Sequence, residues 1–191
     1  MEIELDGALI ELRGDSNPVV SAALEALLAN GGHIAEGELP NILLLSYPLL
    51  PEPLAVDART LVGVARATAK AMAERGGGRI VIVLSALAGM PMRRHPEYSL
   101  DMAAALAGMR TLAMEFGPKV LVNAVGLGTV EAERLVAGDT ALLSHAALGR
   151  AGTLEEAVAP ILFFCDPLNS YTTGQLLAVD GGWSAGYGRN F

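Results

Sequence analysis

Lysine is scarce in this chain: Lys70 and Lys119 are the only two in 191 residues. With a formal net charge of −8, the surface lacks the basic field that nucleic acid or anionic lipid requires. Cysteine is scarcer still. Cys165 stands alone, which excludes an internal disulfide and a Cys-based zinc cluster and points to a reducing cytoplasm. It sits in an apolar segment and reads as a packing residue. His33 and His145 are isolated and lack ligand-like spacing, so no metal site is expected. Long apolar runs are missing too. The longest, Ile42 to Leu50, is too short for a bilayer and is interrupted by Pro48, with Pro51 and Pro53 close behind. The opening MEIELDG has no basic region of the signal-peptide kind. These absences predict a soluble, cytoplasmic protein without nucleic-acid or membrane partners.

What is present is apolar: 52% hydrophobic residues against 18% charged. That balance predicts one domain, residues 1–191, with a sizeable core. Strand patterns fall at Ala8–Leu12, Asn41–Leu45, Arg79–Leu84, Val120–Val125 and Gln175–Val179. Arg79–Leu84 is the clearest, apolar without alternation as a central parallel strand should be. Helical periodicity runs from Pro18 at a first helical position through Val19–Ala29, then over Ala55–Glu74, Glu97–Phe116 and Glu155–Phe164. Alternating strands and helices of this length predict an α/β fold, a doubly wound parallel sheet.

Four ordered blocks carry a more specific likeness. GGRIVIVLSALAG (77–89), Ser85 followed thirteen positions later by Tyr98, VNAVGLG (122–128) and LGRAGTLEEAVAPILFFCDPLNSYTTGQLLAVDGGW (148–183) resemble the short-chain dehydrogenase/reductase (SDR) family. LRGDSNPVVSAALEALLANGGHI (12–34) aligns on the family's first strand, glycine turn and first helix. The resemblance implies a Rossmann-like sheet, truncated at one place. Only six residues separate Ile34, the end of the second strand, from Asn41, where a typical member carries a helix, a strand and another helix.

The resemblance also implies a chemistry. In the family a tyrosine passes a proton while the nicotinamide passes a hydride. A lysine four residues on lowers the phenol's pKa and holds the nicotinamide ribose. A phenol with an ordinary pKa of ~10 is a poor catalyst at neutral pH. Here that lysine is Met102, which has neither charge nor donor. The supporting asparagine is Asp57. The four positions thus read Asp57, Ser85, Tyr98, Met102, with Ser85 and Tyr98 as vestiges. The family's G-x-x-x-G-x-G reads Gly14-Asp15-Ser16-Asn17-Pro18-Val19-Val20. Pro18 removes an N–H, Val20 adds a branched side chain, and Asp15 adds negative charge where phosphates would lie. Leu127 replaces a proline before Gly128, and Ala132 stands where a threonine usually holds the carboxamide.

These changes predict a chain that binds no cofactor itself, with NAD(P) in a partner subunit. The expected assembly is a heterotetramer with an active SDR paralogue, an arrangement similar to (hydroxybenzyl)succinyl-CoA dehydrogenase. Its contacts would come from Ala55–Glu74, Glu97–Phe116 and Leu148–Trp183. Small residues at 103, 104, 105, 107 and 108 permit close helix approach or ordinary packing. Two alternatives stay open: a free-standing NAD(P)-dependent SDR with an atypical site, and a ligand-binding regulatory protein. Arg93-Arg94-His95 reads as a solvated loop or partner contact before a phosphate or acyl-CoA contact. Met102, Met109 and Met114 read as helix packing.

Overall fold

The structure is a computed structural model that describes residues 1–51, 57–91, 93, 95–132 and 143–186. Its elements are β1 (Leu9–Gly14), α1 (Pro18–Ala29), β2 (His33–Ile34), β3 (Ile42–Ser46) and α2 (Ala58–Arg75). β4 (Gly78–Ser85), α3 (Pro96–Phe116), β5 (Val120–Leu127), α4 (Leu154–Cys165) and β6 (Leu176–Val179) complete them. The strands form one parallel sheet in the order β2-β1-β3-β4-β5-β6.

The apolar runs without alternation sit where burial on both faces puts them. Every residue of β3 and the last six of β4 are buried. On one face Leu43, Leu45, Ile80 and Ile82 pack with Ala65, Met72, Met102 and Met109 of α2 and α3. On the other, Ile10, Leu44, Val81 and Val83 pack with Val20, Leu27, Ile161 and Phe164 of α1 and α4. Cys165 is fully buried among the latter, as its apolar segment predicts, and burial pushes its thiol up to about 12.

Some boundaries move, each for a local reason. β1 runs on to Gly14 because that residue pairs with Ser46 of β3. A Cβ at Gly14, whose φ is +95°, would strike the Ser46 carbonyl, so the glycine is demanded by close strand approach. The described part of α2 starts at Ala58, capped by Asp57, and the expected start at Ala55 lies outside the described residues. Met114 is 79% exposed, which corrects its reading as helix packing; it lies on the solvent side of α3, unlike Met102 and Met109, both at 0%.

The short link after β2 is anchored at the end that enters β3. Asn41 Oδ1 accepts from the Leu9 N–H at 2.9 Å. Arg75, in the last turn of α2, donates to the carbonyls of Leu39 (2.6 Å) and Pro40 (2.7 Å). The chain thus crosses from β2, on one side of β1, to β3 on the other without an intervening element. At the amino-terminal edge of the sheet, Arg79 donates to the carbonyls of Phe164, Pro167 and Asn169, fixing the turn after α4.

Candidate functional site

In open α/β sheets ligands lie beyond the carboxyl ends of the strands, where the strand order reverses. Here that place is between β1 and β3. Gly14, Ser46, Ser85 and Leu127 end β1, β3, β4 and β5 there. The first turn of α3 adds Tyr98 beside Ser85.

The structure brings Ser85 and Tyr98 together. Both are buried, at 5% exposure each. Ser85 accepts from the Leu87 N–H at 3.3 Å and caps the short 3-10 turn Ala86–Gly89 that follows β4. The Tyr98 hydroxyl donates to the Pro48 carbonyl at 2.7 Å. Burial pushes the phenol's pKa up to about 12; its hydrogen bond with Ser85 pulls the other way, and the negative charge of Asp15 adds to the rise. Met102, one helical turn on, is fully buried in the core. Among the described residues no cation is one of the groups that act on the phenol. Asp57 is exposed at the start of α2 and accepts from Thr60 N at 2.8 Å, a helix cap whose hydrogen bonds hold its carboxyl below the usual range.

The glycine-turn positions behave differently from one another. Gly14 keeps its left-handed turn. Pro18 opens α1, as the sequence predicts. Val20 is fully buried in the core with Ile10 and Leu44 rather than standing in the crevice. On the far side, Gly128 lies so close to Asp180 that an added Cβ would come within 2.7 Å of its Cα. Leu127 is 2% exposed, and Ala132 is half-buried. Arg93 is exposed on its loop, and Arg94 lies outside the described residues. Among the described residues no group of three or more His, Cys, Asp or Glu could hold a metal, and no helix is long and apolar enough to cross a membrane.

Sequence reasoning missed four contributors. Asn17 is the cap of α1, a role that Asn before a first-position Pro could have signalled. Glu36 and Glu38 lie exposed just past β2, about the distance from a glycine turn at which an acidic residue binds a ribose diol. The Pro48 carbonyl had no signal, because only the fold brings it to Tyr98.

A family profile described as "Enoyl-(Acyl carrier protein) reductase" matches residues 22–184. The chain is 31% identical over 166 residues to the 3-oxoacyl-[acyl-carrier-protein] reductase FabG of Aquifex aeolicus, covering 82% of this chain and 64% of the relative. It is 31% identical over 188 residues to the galactitol 2-dehydrogenase (L-tagatose-forming) of Cereibacter sphaeroides, covering 89% and 72%. With the short-chain reductase protein NovJ of Streptomyces niveus it shares 37% over 128 residues, 61% of this chain and 48% of NovJ. The chain thus spans about half to two thirds of several curated relatives that it matches.

Solved structures share the fold. A gluconate 5-dehydrogenase from Burkholderia cenocepacia in complex with NADP and tartrate superposes at TM-score 0.80, 18% identity and 96% and 97% coverage. A 4-hydroxyisoleucine dehydrogenase complexed with NADH gives 0.77, 18%, and 94% and 100%. An NADPH-bound short-chain oxidoreductase from Pseudomonas aeruginosa PAO1, described as containing an atypical catalytic center, gives 0.74, 24%, and 96% and 99%.

These neighbours overturn the expectation that the chain binds no dinucleotide and leaves NAD(P) to a partner. The same fold holds NADH, NADP and NADPH in them. The physical reason is that the sheet builds the crevice, and the sheet is intact around β1, β3, β4 and β5. Val20, expected to obstruct it, is turned into the core. A dinucleotide would find the hydroxyls of Ser85 and Tyr98 at the end of β4, with Gly128 just past β5, and the exposed carboxylates of Glu36 and Glu38 past β2. The fit is poorest at the pyrophosphate, where Asp15 and Asn17 stand.

Proposed function

Because this chain belongs to the short-chain dehydrogenase/reductase family, we propose that it is an NAD(P)-dependent oxidoreductase of carbonyl and alcohol groups with an atypical site. The observation that carries this reading is the pairing of Ser85 with Tyr98 at the carboxyl end of β4. A bound nicotinamide supplies or takes the hydride. The chain's own residues handle the oxygen and the proton.

In reduction, Tyr98 leaves the Pro48 carbonyl to which it now donates and gives its proton to the carbonyl oxygen of the substrate. Ser85 has a single O–H, which either donates to the phenol oxygen or turns to the substrate oxygen. The phenolate left behind has no ammonium beside it, since Met102 occupies that place. Water must return the proton.

A pKa of about 12 sets the direction. The raised value keeps the phenol protonated through neutral pH, so the acid form needed for reduction is fully populated. The phenolate needed to deprotonate an alcohol appears only as pH climbs toward 12. Near neutrality the site therefore holds the acid form, though a weak acid, and alcohol oxidation should rise with pH past 10 without levelling. The test is a titration with NADH and NADPH, followed by rates on a panel of ketones. Binding at micromolar concentration and loss of turnover in Tyr98→Phe, with binding kept, are the expected results. No binding, or full turnover in Tyr98→Phe, would sink the reading.

A second reading has its own support: the chain assembles with an intact SDR relative. Leu100 (65% exposed) and Met114 (79%) leave apolar groups on the outer side of α3. Leu168, Tyr171 and Leu177 do so around β6. Native mass measurement of the complex from its source would decide. A homogeneous assembly of this chain alone excludes the heteromer.

A further inference from the structure

We infer that Asn17 stands in for a phosphate oxygen, and that its amide sets how tightly the crevice takes a pyrophosphate. This rests on the dinucleotide reading above and deepens it. Asn17 is 8% exposed and sits between β1 and α1. Its Oδ1 accepts from Val19 N at 3.1 Å and Val20 N at 3.2 Å. Its Nδ2 donates to Ser46 Oγ at 3.0 Å and to Asp15 Oδ2 at 3.3 Å. An asparagine side chain has two donor hydrogens and an oxygen with two lone pairs, so its capacity is filled.

The first turn of α1 is thereby closed. Pro18 has no N–H. Val19 and Val20 give theirs to the Asn17 side chain, and Ser21 N gives its own to the Asn17 carbonyl at 3.2 Å. A pyrophosphate reaching a helix N-terminus binds through such groups. Here it must first displace an acceptor that is already in place and fixed on three sides. Asn17 Nδ2 also holds the Asp15 carboxylate in the same turn. Both effects weaken phosphate binding at the point where the rest of the crevice is suited to a dinucleotide. Asn17 is therefore an affinity-setting residue.

Asn17→Gly tests this cleanly, because glycine is well tolerated at a helix cap and frees both N–H groups. Asn17→Asp keeps the cap, holds the fold if glycine does not, and adds a charge that repels phosphate. NADPH and NADH are titrated by fluorescence, and inorganic pyrophosphate by calorimetry, on the wild-type chain and both variants. Asn17→Gly should bind NADPH or NADH and pyrophosphate at least about tenfold more tightly than wild type, as two charge-assisted hydrogen bonds allow. Asn17→Asp should bind both more weakly than wild type. If wild type binds NADPH or NADH and Asn17→Gly is no tighter, Asn17 is only a helix cap and the inference fails while the dinucleotide reading stands. If Asn17→Gly gains pyrophosphate but neither protein takes NADPH or NADH, the inference holds and the dinucleotide reading fails. Binding of neither ligand by any of the three overturns both.

Discussion

Tyr98 and Met102 are one helical turn apart, and the pair decides how the phenol behaves. Burial raises the phenol's pKa, and among the described residues nothing cationic opposes the rise. Restoring the charge is the direct experiment. In Met102→Lys the ammonium should draw the phenol's pKa down by about 1–3 units. The pH profile of alcohol oxidation should shift to lower pH by a similar amount. Met102 is 0% exposed, so the same variant should melt at a lower temperature, because a charge enters an apolar layer. An unshifted profile in the folded variant would show that the phenol does not set the rate. The residue types were legible in advance: the Ser-to-Tyr spacing and the missing lysine stand in the sequence. The phenol's present acceptor was not. Pro48 is fifty residues away and meets Tyr98 only after β3 and β4 pair.

At the scale of elements, α4 shows how far local sequence can dictate structure. Thr153 and Glu156 form a reciprocal cap: Glu156 N donates to Thr153 Oγ1 at 3.2 Å, and Thr153 N donates to Glu156 Oε2 at 2.9 Å. Arg150 adds two hydrogen bonds to the same carboxylate, each 2.7 Å. Thr153→Ala should lower stability by about 1 kcal/mol, read by urea denaturation. The Arg150 hydrogen bonds first, then the Thr153 N–H, bring the Glu156 carboxyl from an ordinary 4.5 to about 2. A lowered folded-state value means that the contribution is complete above pH 4.5 and disappears as pH falls toward 2. The melting temperature of the wild-type chain should therefore drop more steeply across that window than that of Glu156→Gln. Equal slopes would show that the pair contributes nothing in solution. The T-x-x-E signature of this helix stands in the sequence. The start of α1 was half legible: Pro18 was read as its first residue, while the role of Asn17 was overlooked. The pattern reading missed the exposure of Met114, because small residues around α3 blur its apolar stripe.

Across the whole molecule, a doubly wound parallel sheet was implied by strand alternation and the family likeness, and the missing interval by the six residues after Ile34. What could not be read was how β4 is tied to the end of α4 and the turn that follows it. Arg79 spans from β4 to the carbonyl of Phe164 in the last turn of α4 and those of Pro167 and Asn169 after it, residues 85 to 90 positions away. A single arginine in a strand pattern carries no sign of that reach. Arg79→Ala leaves those carbonyls without their donor. It should cost about 2 kcal/mol in chemical denaturation. A change under about 0.5 kcal/mol would mean that water replaces the guanidinium at no loss.

The direct passage from β2 to β3 has a kinetic consequence. Leu9 and Asn41 are joined across only 32 residues, so the β1–β3 pairing closes a short loop in a fold whose parallel strands ordinarily demand long ones. Loop closure grows costlier with length, and rates of folding fall as contacts become more distant in sequence. This half of the sheet should therefore form early on the way to the native state. Conservative truncations at Ile10 and Leu44 would then slow refolding, whereas equivalent changes at Leu176 would chiefly hasten unfolding. Stopped-flow kinetics on the two sets would reveal whether shortening the chain also moved its nucleus.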